Sequence, residues 1–211
     1  MVTGNITIKI IDSIDVIERR SNKAIADHMN SIVTRKKGYM HDEIIKMVKN
    51  WILEQPEIIS LKQNELAAQL GLPAGSANSV VDSIISSIQY ATDVLVEKFN
   101  RKLQGGVTLR FQPEHFANLM ALSGGHVVLP DDGDLHWLRW LLESGHKIIV
   151  VDYHFISSPG HGRSGGGVMT AGGAWRVPPE FAGTLDDNFV TRAFSGRYTE
   201  IEELFGRVLS R

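Results

Sequence analysis

A glycine-rich loop, residues 157–173, carries the spacing G-x-G-x-x-G that dinucleotide-binding proteins use for phosphates. The three glycines of this pattern are Gly160, Gly162 and Gly165. Dinucleotide-binding loops need a strand before the pattern and a helix after it, because the helix N-terminus binds the pyrophosphate. Residues 147–156 have the composition of a strand, but the glycines and prolines after the loop exclude a helix. The pattern therefore predicts a hairpin loop and no bound cofactor.

Two polar side chains, Arg163 and Ser164, lie inside this loop. An exposed loop rich in glycine often becomes ordered only on contact with a partner. Both side chains are therefore candidates for binding a neighbouring protein. Deletion of residues 160–167 is then expected to abolish assembly and to leave the melting temperature nearly unchanged.

The eight histidines have no spacing typical of a metal site or a catalytic site, since none forms H-x-x-x-H or H-E-x-x-H. His154 and His161 flank the base of the glycine loop and could approach one another. Asp131, Asp132 and Asp134 lack the calcium-loop pattern, and a turn followed by a helix N-cap explains them. No serine has the spacing of a nucleophile elbow. We therefore predict no catalytic residues, no metal site and no enzymatic activity.

Residues 65–85 have the spacing of a helix-turn-helix, with Gly71 at the turn. The second helix of this segment offers serines, Asn78 and Asp82 but no lysine or arginine, and an aspartate repels DNA phosphates. A purely structural pair of helices is therefore favoured. The two strand patterns that follow could imitate a wing, so a winged helix-turn-helix DNA-binding protein is the alternative function. The cations of that wing would be Lys98, Arg101, Lys102 and Arg110.

Residues 1–88 are predicted to be mostly helical, after a short strand at 5–10. Apolar residues recur at helical spacing until Gly38, where two lysines and the glycine are typical of a helix end. A second apolar run stops at Pro56, because proline ends a helix. The pattern predicts a helical hairpin, followed by two short helices in residues 60–88.

Residues 89–211 are predicted to combine strands with helices. The strand before the glycine loop is apolar along most of its length, which indicates burial on both faces. One helix is expected to begin at Asp134, another at Thr184 or Asp186, and "AWRVPPEF" is expected to be extended. The sequence thus predicts an α+β fold, with a small mixed β-sheet, the long glycine-rich loop and C-terminal helices. No linker-like composition separates residues 1–88 from this region, so one compact unit is expected.

The bulk composition narrows the function further. The 211 residues carry a net charge of -2 and no cysteine. The missing basic excess gives no support to DNA binding, and the missing cysteine excludes disulfides and thiolate catalysis. No run of about 18 apolar residues occurs, so no membrane contact is expected.

The order of motifs in residues 115–195 resembles a family of virion structural proteins from contractile-tailed bacteriophages. These are small proteins of the head–tail region, found among neck, connector and tail-completion genes. The motifs that carry the resemblance are "LHWLRWLLESGHKIIVVDY", "GRSGGGVM" and "WRVPPEFAGTLDDNFVTRAF", in that order. The glycine loop alone is a weak motif, and its position between the other two is more specific.

The resemblance implies a non-enzymatic protein of the virion, assembled in the bacterial host cytoplasm. It implies a homo-oligomeric ring that joins other virion proteins of the neck or tail, and it is compatible with non-specific contact with packaged DNA. Extended arms can pair with the strand edge of a neighbour, so the glycine loop and "WRVPPEF" are the expected contact segments. The predicted interaction residues are Gly160, Gly162, Arg163, Ser164, Gly165, Trp175, Arg176, Pro178, Pro179 and Arg192.

Overall fold

A computed structural model describes residues 11–111, 114–128, 133–145 and 147–210. Helices and short antiparallel hairpins alternate along these ranges, which confirms the predicted α+β fold. The predicted strand at 5–10 and the aspartates at 131 and 132 lie outside the described residues. The helices are α1 (Ile14–Leu53), α2 (Pro56–Lys62), α3 (Glu65–Gln69), α4 (Ala77–Ala91), α5 (Ala117–Met120), α6 (Trp137–Leu142), α7 (Phe189–Phe194) and α8 (Tyr198–Leu209). The strands are β1 (Asp93–Glu97), β2 (Gly106–Arg110), β3 (Val127–Val128), β4 (Asp134–Leu135), β5 (Val150–Ser157) and β6 (Gly167–Trp175).

Helix α1 is one continuous helix of 40 residues, so the predicted helical hairpin is wrong. A buried face of Val33, Met40, Ile44 and Val48 continues at helical spacing past Gly38. A glycine inside a helix costs only about 1 kcal/mol relative to alanine. Burying a single large aliphatic side chain contributes more than that, so the shared core face keeps the helix intact.

The hydrophobic core contains residues from both halves of the chain. Trp51 and Ile84, from α1 and α4, belong to the same buried cluster as Trp137 and Phe189 from α6 and α7. The Trp51 indole Nε1 donates a hydrogen bond of 2.8 Å to a carboxylate oxygen of Glu200 on α8. Packing therefore connects the long N-terminal helix directly to the C-terminal helices.

Within the described ranges the strands form three separate two-stranded antiparallel sheets, where a small mixed sheet was predicted. In each sheet a strand pairs with the next strand along the chain, as in Val94 with Leu109 and Phe155 with Met169. The predicted burial of β5 on both faces is also wrong: Val151 is 67% exposed and Tyr153 is 47% exposed. Among the described residues β5 has only β6 as a strand neighbour, so most of its apolar side chains reach the surface.

Two helix starts and one extended segment also differ from prediction. Helix α6 begins three residues after Asp134, because Asp134 pairs with Val128 in the β3–β4 hairpin. Helix α7 begins after Asn188, whose side chain accepts hydrogen bonds from two backbone amides while Thr191 completes the capping box. The segment after Trp175 turns at Pro178, whose carbonyl accepts a hydrogen bond of 2.9 Å from the Phe181 amide.

Candidate interaction site

The glycine loop folds back onto the turn between α3 and α4. Arg163 Nη2 donates a hydrogen bond of 2.7 Å to the Gly71 carbonyl, and the Ala74 amide donates one of 3.2 Å to the Arg163 carbonyl. The Asn64 side-chain amide donates to the Ser164 carbonyl at 3.3 Å, and Ser164 is only 3% exposed. The predicted hairpin is confirmed, but the loop is ordered against its own chain and needs no partner for this. Deletion of residues 160–167, which was expected to leave the melting temperature nearly unchanged, would therefore remove packed structure.

The glycines of the loop allow a close approach of backbone to backbone. Gly162 has a φ of +71°, and a side chain there would overlap the Gly167 carbonyl oxygen. At Gly166 a Cβ atom would lie 2.5 Å from the Ala68 Cβ on α3, well inside contact distance. Gly160 has a φ of +81° but faces open space. Gly162 and Gly166 are therefore required for the close packing of the loop, which gives the glycine spacing a structural explanation.

Beneath the docked loop lies an apolar cleft of about 350 Å³. Phe155 and Met169 of the β5–β6 hairpin form one side, and Trp140 and Trp175 meet edge to face with ring centroids 5.7 Å apart. Trp175 is 6% exposed. Residues of the hairpin, α3 and α6 line this cleft. The predicted interaction residue Trp175 therefore packs beneath the hairpin.

The strands of the same hairpin present apolar side chains to solvent. Large side chains at least 39% exposed are Val151, Tyr153, Ile156 and Met169, with Ile148 just before β5. Among the described residues β5 and β6 pair only with each other, so the outer backbone edge of each strand is unpaired there. Unpaired strand edges beside exposed apolar side chains are typical of protein contact surfaces. We refer to this region, residues 148–157 and 167–174, as the hairpin surface.

A second exposed apolar region lies at the start of α1. Ile11 and Ile14 are 92% and 81% exposed, and Ile17 and Ile25 remain more than 40% exposed. This face contrasts with the later part of α1, where the apolar side chains are buried in the core. We refer to residues 11–25 as the α1 N-terminal surface.

Arg192, a predicted assembly anchor, is instead part of an internal ion pair. Its guanidinium contacts Glu57, which is completely buried, and Asp187 Oδ1 at 2.6 Å. Burial raises the pKa of the Glu57 carboxyl, and the Arg192 guanidinium partly opposes this. One Glu57 oxygen has no hydrogen-bond partner within the described part of the chain. The geometry therefore assigns Arg192 to neutralising a buried carboxylate.

The remaining predicted residues divide between covered and accessible positions. Trp175 and Ser164 are buried and Arg163 is hydrogen-bonded to its own chain, whereas Arg176 and Pro179 are exposed and Pro178 is half-buried. Both groups have the same local composition, so the sequence alone does not separate covered from accessible positions.

The two histidines expected near each other make separate contacts. His154 Nδ1 donates to the Gly172 carbonyl at 2.7 Å, and the Ser158 hydroxyl lies 3.4 Å from His161 Nδ1. A different set converges: His126, Asp134 and His136, at the ends of the β3–β4 hairpin. No linear motif shows this set, because only strand pairing brings His126 next to the other two residues.

The helix-turn-helix segment is present in outline, but its surface is not basic. Leu66 and Leu72 are buried, and the exposed side of α4 carries Asn78, Asp82 and serines. The turn between α3 and α4 is the part on which the glycine loop docks. In the described ranges, no helix combines the length and the apolar character that crossing a bilayer requires.

Comparisons of the chain with protein-family models, with curated proteins and with solved structures found no match.

Proposed function

We propose that this protein is a structural component of the head–tail connection of a contractile-tailed bacteriophage, acting by assembly through its hairpin surface. The observation that carries the proposal is the exposure of apolar side chains on a two-stranded hairpin whose tip is docked. The sequence resemblance to neck and tail-completion proteins supports it independently.

The hairpin surface suits addition of a strand from a neighbouring subunit. Backbone groups at an unpaired edge need partners, and a neighbour's strand supplies them while covering the apolar side chains. The docked loop fixes the tip of the hairpin through Arg163 and Ser164. A fixed tip holds the strands in one orientation, so less conformational entropy is lost when a neighbour binds.

A closed ring with head-to-tail contacts needs two different surfaces on each subunit. The hairpin surface provides one, and the α1 N-terminal surface, where exposed isoleucines lie among charged side chains, provides the second. Repetition around the ring lets modest individual contacts give a stable assembly. We therefore propose that these two surfaces bury each other, or bury surfaces of adjoining virion proteins.

The test introduces charge into the hairpin surface without touching the docked loop. We expect the double variant Val151→Asp/Ile156→Asp to fold normally but to be absent from phage particles, because charged side chains cannot be buried at the contact. Ser79→Asp/Ser86→Asp is the matched control, since both serines are exposed and polar and lie on α4, outside the hairpin surface and the α1 N-terminal surface. Particles are isolated after complementation of a deletion phage and imaged with an antibody label.

Three results separate the outcomes. Labelling of the wild-type protein and the Ser79→Asp/Ser86→Asp control at the head–tail junction, with loss of the Val151→Asp/Ile156→Asp variant, would support the proposal. Absence of the wild-type protein from particles would reject the proposed role as a structural component of the phage. Incorporation of the Val151→Asp/Ile156→Asp variant at the wild-type level would reject the hairpin surface as the contact.

The winged helix-turn-helix reading is a second hypothesis with one favourable observation. The β1–β2 hairpin directly follows α4, as a wing would, and Lys98, Arg101 and Lys102 are exposed near its turn. A DNA mobility-shift titration across salt concentrations tests it. Binding that weakens steeply with salt and is lost in Arg101→Ala/Lys102→Ala would favour this function.

A further inference from the structure

We infer that His126, Asp134 and His136 form a binding site for a divalent transition-metal ion, with zinc as the preferred occupant. The inference rests on how three electron-pair donors converge on one point of the β3–β4 hairpin. It is independent of the proposed role in the virion.

The hairpin register places the three side chains together. Val127 pairs with Leu135 and Val128 pairs with Asp134, so His126 and His136 are the next opposed positions of the two antiparallel segments. Asp134 and His136 are two residues apart, a spacing that places side chains on one face of a strand. The two imidazole rings have centroids 3.5 Å apart.

The distances fit a small metal ion. His126 Nδ1 lies 3.1 Å from Asp134 Oδ2, and His136 Nε2 lies 3.3 Å from the same oxygen. The three ligand atoms all lie within 4.8 Å of one another. In a tetrahedral zinc site with bonds of about 2.0–2.1 Å, neighbouring ligand atoms are about 3.3 Å apart. The distances of 3.1 and 3.3 Å match this spacing.

A contact outside the cluster suits a metal-bound His126. Its Nε2 lies 3.4 Å from the Met120 carbonyl oxygen, and its Nδ1 lies 3.1 Å from Asp134 Oδ2. Metal-bound histidines commonly donate their other ring N–H to a carbonyl. With the Nε2 proton directed at Met120, Nδ1 would be available to bind a cation together with the Asp134 carboxylate.

The donor set indicates the class of metal. Two imidazoles and one carboxylate suit zinc and neighbouring transition metals, whereas calcium and magnesium prefer oxygen ligands alone. The side chains of Asp134 and His136 are about half exposed, which leaves room for a water molecule as fourth ligand. The bound ion would tie the two ends of the hairpin together. It would also restrict the motion of Val128, whose carbonyl accepts a hydrogen bond from Arg163 of the docked loop.

Calorimetric titration of the full chain with Zn²⁺, and separately with Mg²⁺, tests the site. We expect one Zn²⁺ per chain and no Mg²⁺ binding. Asp134→Asn and His136→Ala should each weaken Zn²⁺ binding by about 100-fold or more, at or beyond the upper end of losses seen for residues that only support ligands. His28→Ala is the matched control, because His28 is exposed on α1 and far from the cluster in sequence.

A second measurement keeps the test independent of small folding defects. Zn²⁺ should raise the melting temperature of the wild-type protein and of His28→Ala, but not that of Asp134→Asn, which preserves the shape of the side chain. The inference is overturned if Zn²⁺ does not bind. It is equally overturned if Asp134→Asn and His136→Ala bind Zn²⁺ as tightly as the wild type, or if Zn²⁺ does not raise the melting temperature of the wild type.

Discussion

The tip and the strands of the β5–β6 hairpin differ in what covers them. The tip is hydrogen-bonded to the α3–α4 turn, and Ser164 within it is 3% exposed. The strands a few residues away expose Val151, Tyr153 and Ile156 to solvent. One continuous segment therefore contains a region that stabilises the fold and a region that is available to a neighbour.

Residues of the same type therefore have different contacts in the two regions. Arg163 and Arg192 bind groups of their own chain, whereas Arg176, close to both in sequence, is exposed. Substitutions in the covered region should lower the free energy of unfolding. Substitutions in the exposed region should leave it unchanged and act only on assembly. The following variants test this division, in order of expected effect.

Arg192→Ala should have the largest effect, a loss of about 3 kcal/mol in the free energy of unfolding. The reason is that Glu57 is completely buried and would lose its compensating cation. Urea denaturation followed by circular dichroism measures the loss. The double variant Glu57→Gln/Arg192→Met removes both charges and should recover most of the stability. A wild-type midpoint for Arg192→Ala would mean that the pair contributes nothing and that Arg192 is free for a partner.

Gly162→Ala should lower the free energy of unfolding by about 2–3 kcal/mol, because it combines a left-handed backbone with overlap on the Gly167 carbonyl. Gly160→Ala is the matched control, since Gly160 has a similar φ but faces open space. It should lose only about 1 kcal/mol. Thermal and urea unfolding compare the two variants. Equal losses would show that the tip is not packed against its own strand.

Arg163→Met should lower the free energy of unfolding by about 1 kcal/mol, because the hydrogen bond to the Gly71 carbonyl is lost from a largely exposed side chain. Arg176→Met, at the exposed end of the hairpin, should change it by less than about 0.5 kcal/mol. The same urea titration serves both variants. A larger loss for Arg176→Met than for Arg163→Met would reverse the comparison between the covered and exposed regions.

Several elements could be predicted because their signals are local. The β1–β2 and β5–β6 hairpins have turn residues between strand patterns, and α8 has a clear apolar face. The start of α2 at Pro56 was not predicted, because this proline was interpreted only as the end of a helix. The capping box at Asn188 and Thr191 is also a local signal, but the nearby aspartates offered competing caps. These elements depend on contacts within a few residues, so a sequence pattern is enough to indicate them.

The candidate sites were only partly predictable. The segment around Arg163 and Arg176 was predicted as a contact segment from its composition and from the resemblance to virion proteins, and it stays a prediction. The docking of the loop on Gly71 joins residues 92 positions apart, and no periodic pattern records such a contact. The His126–Asp134–His136 cluster likewise depends on the pairing of β3 with β4.

Local pattern alone determined that this chain alternates helices with short hairpins, and that its glycine loop joins two strands. Tertiary structure decided three other points: the continuity of α1 past Gly38, the exposure of β5, and the docking of the loop tip. The physical reason is that each of these depends on which distant surfaces become buried. A buried face outweighs one unfavourable glycine. Because β5 pairs only with β6 among the described residues, most of its apolar side chains stay at the surface. The glycine loop has the spacing of a phosphate-binding loop, and its glycines let the hairpin pack closely on the α3–α4 turn.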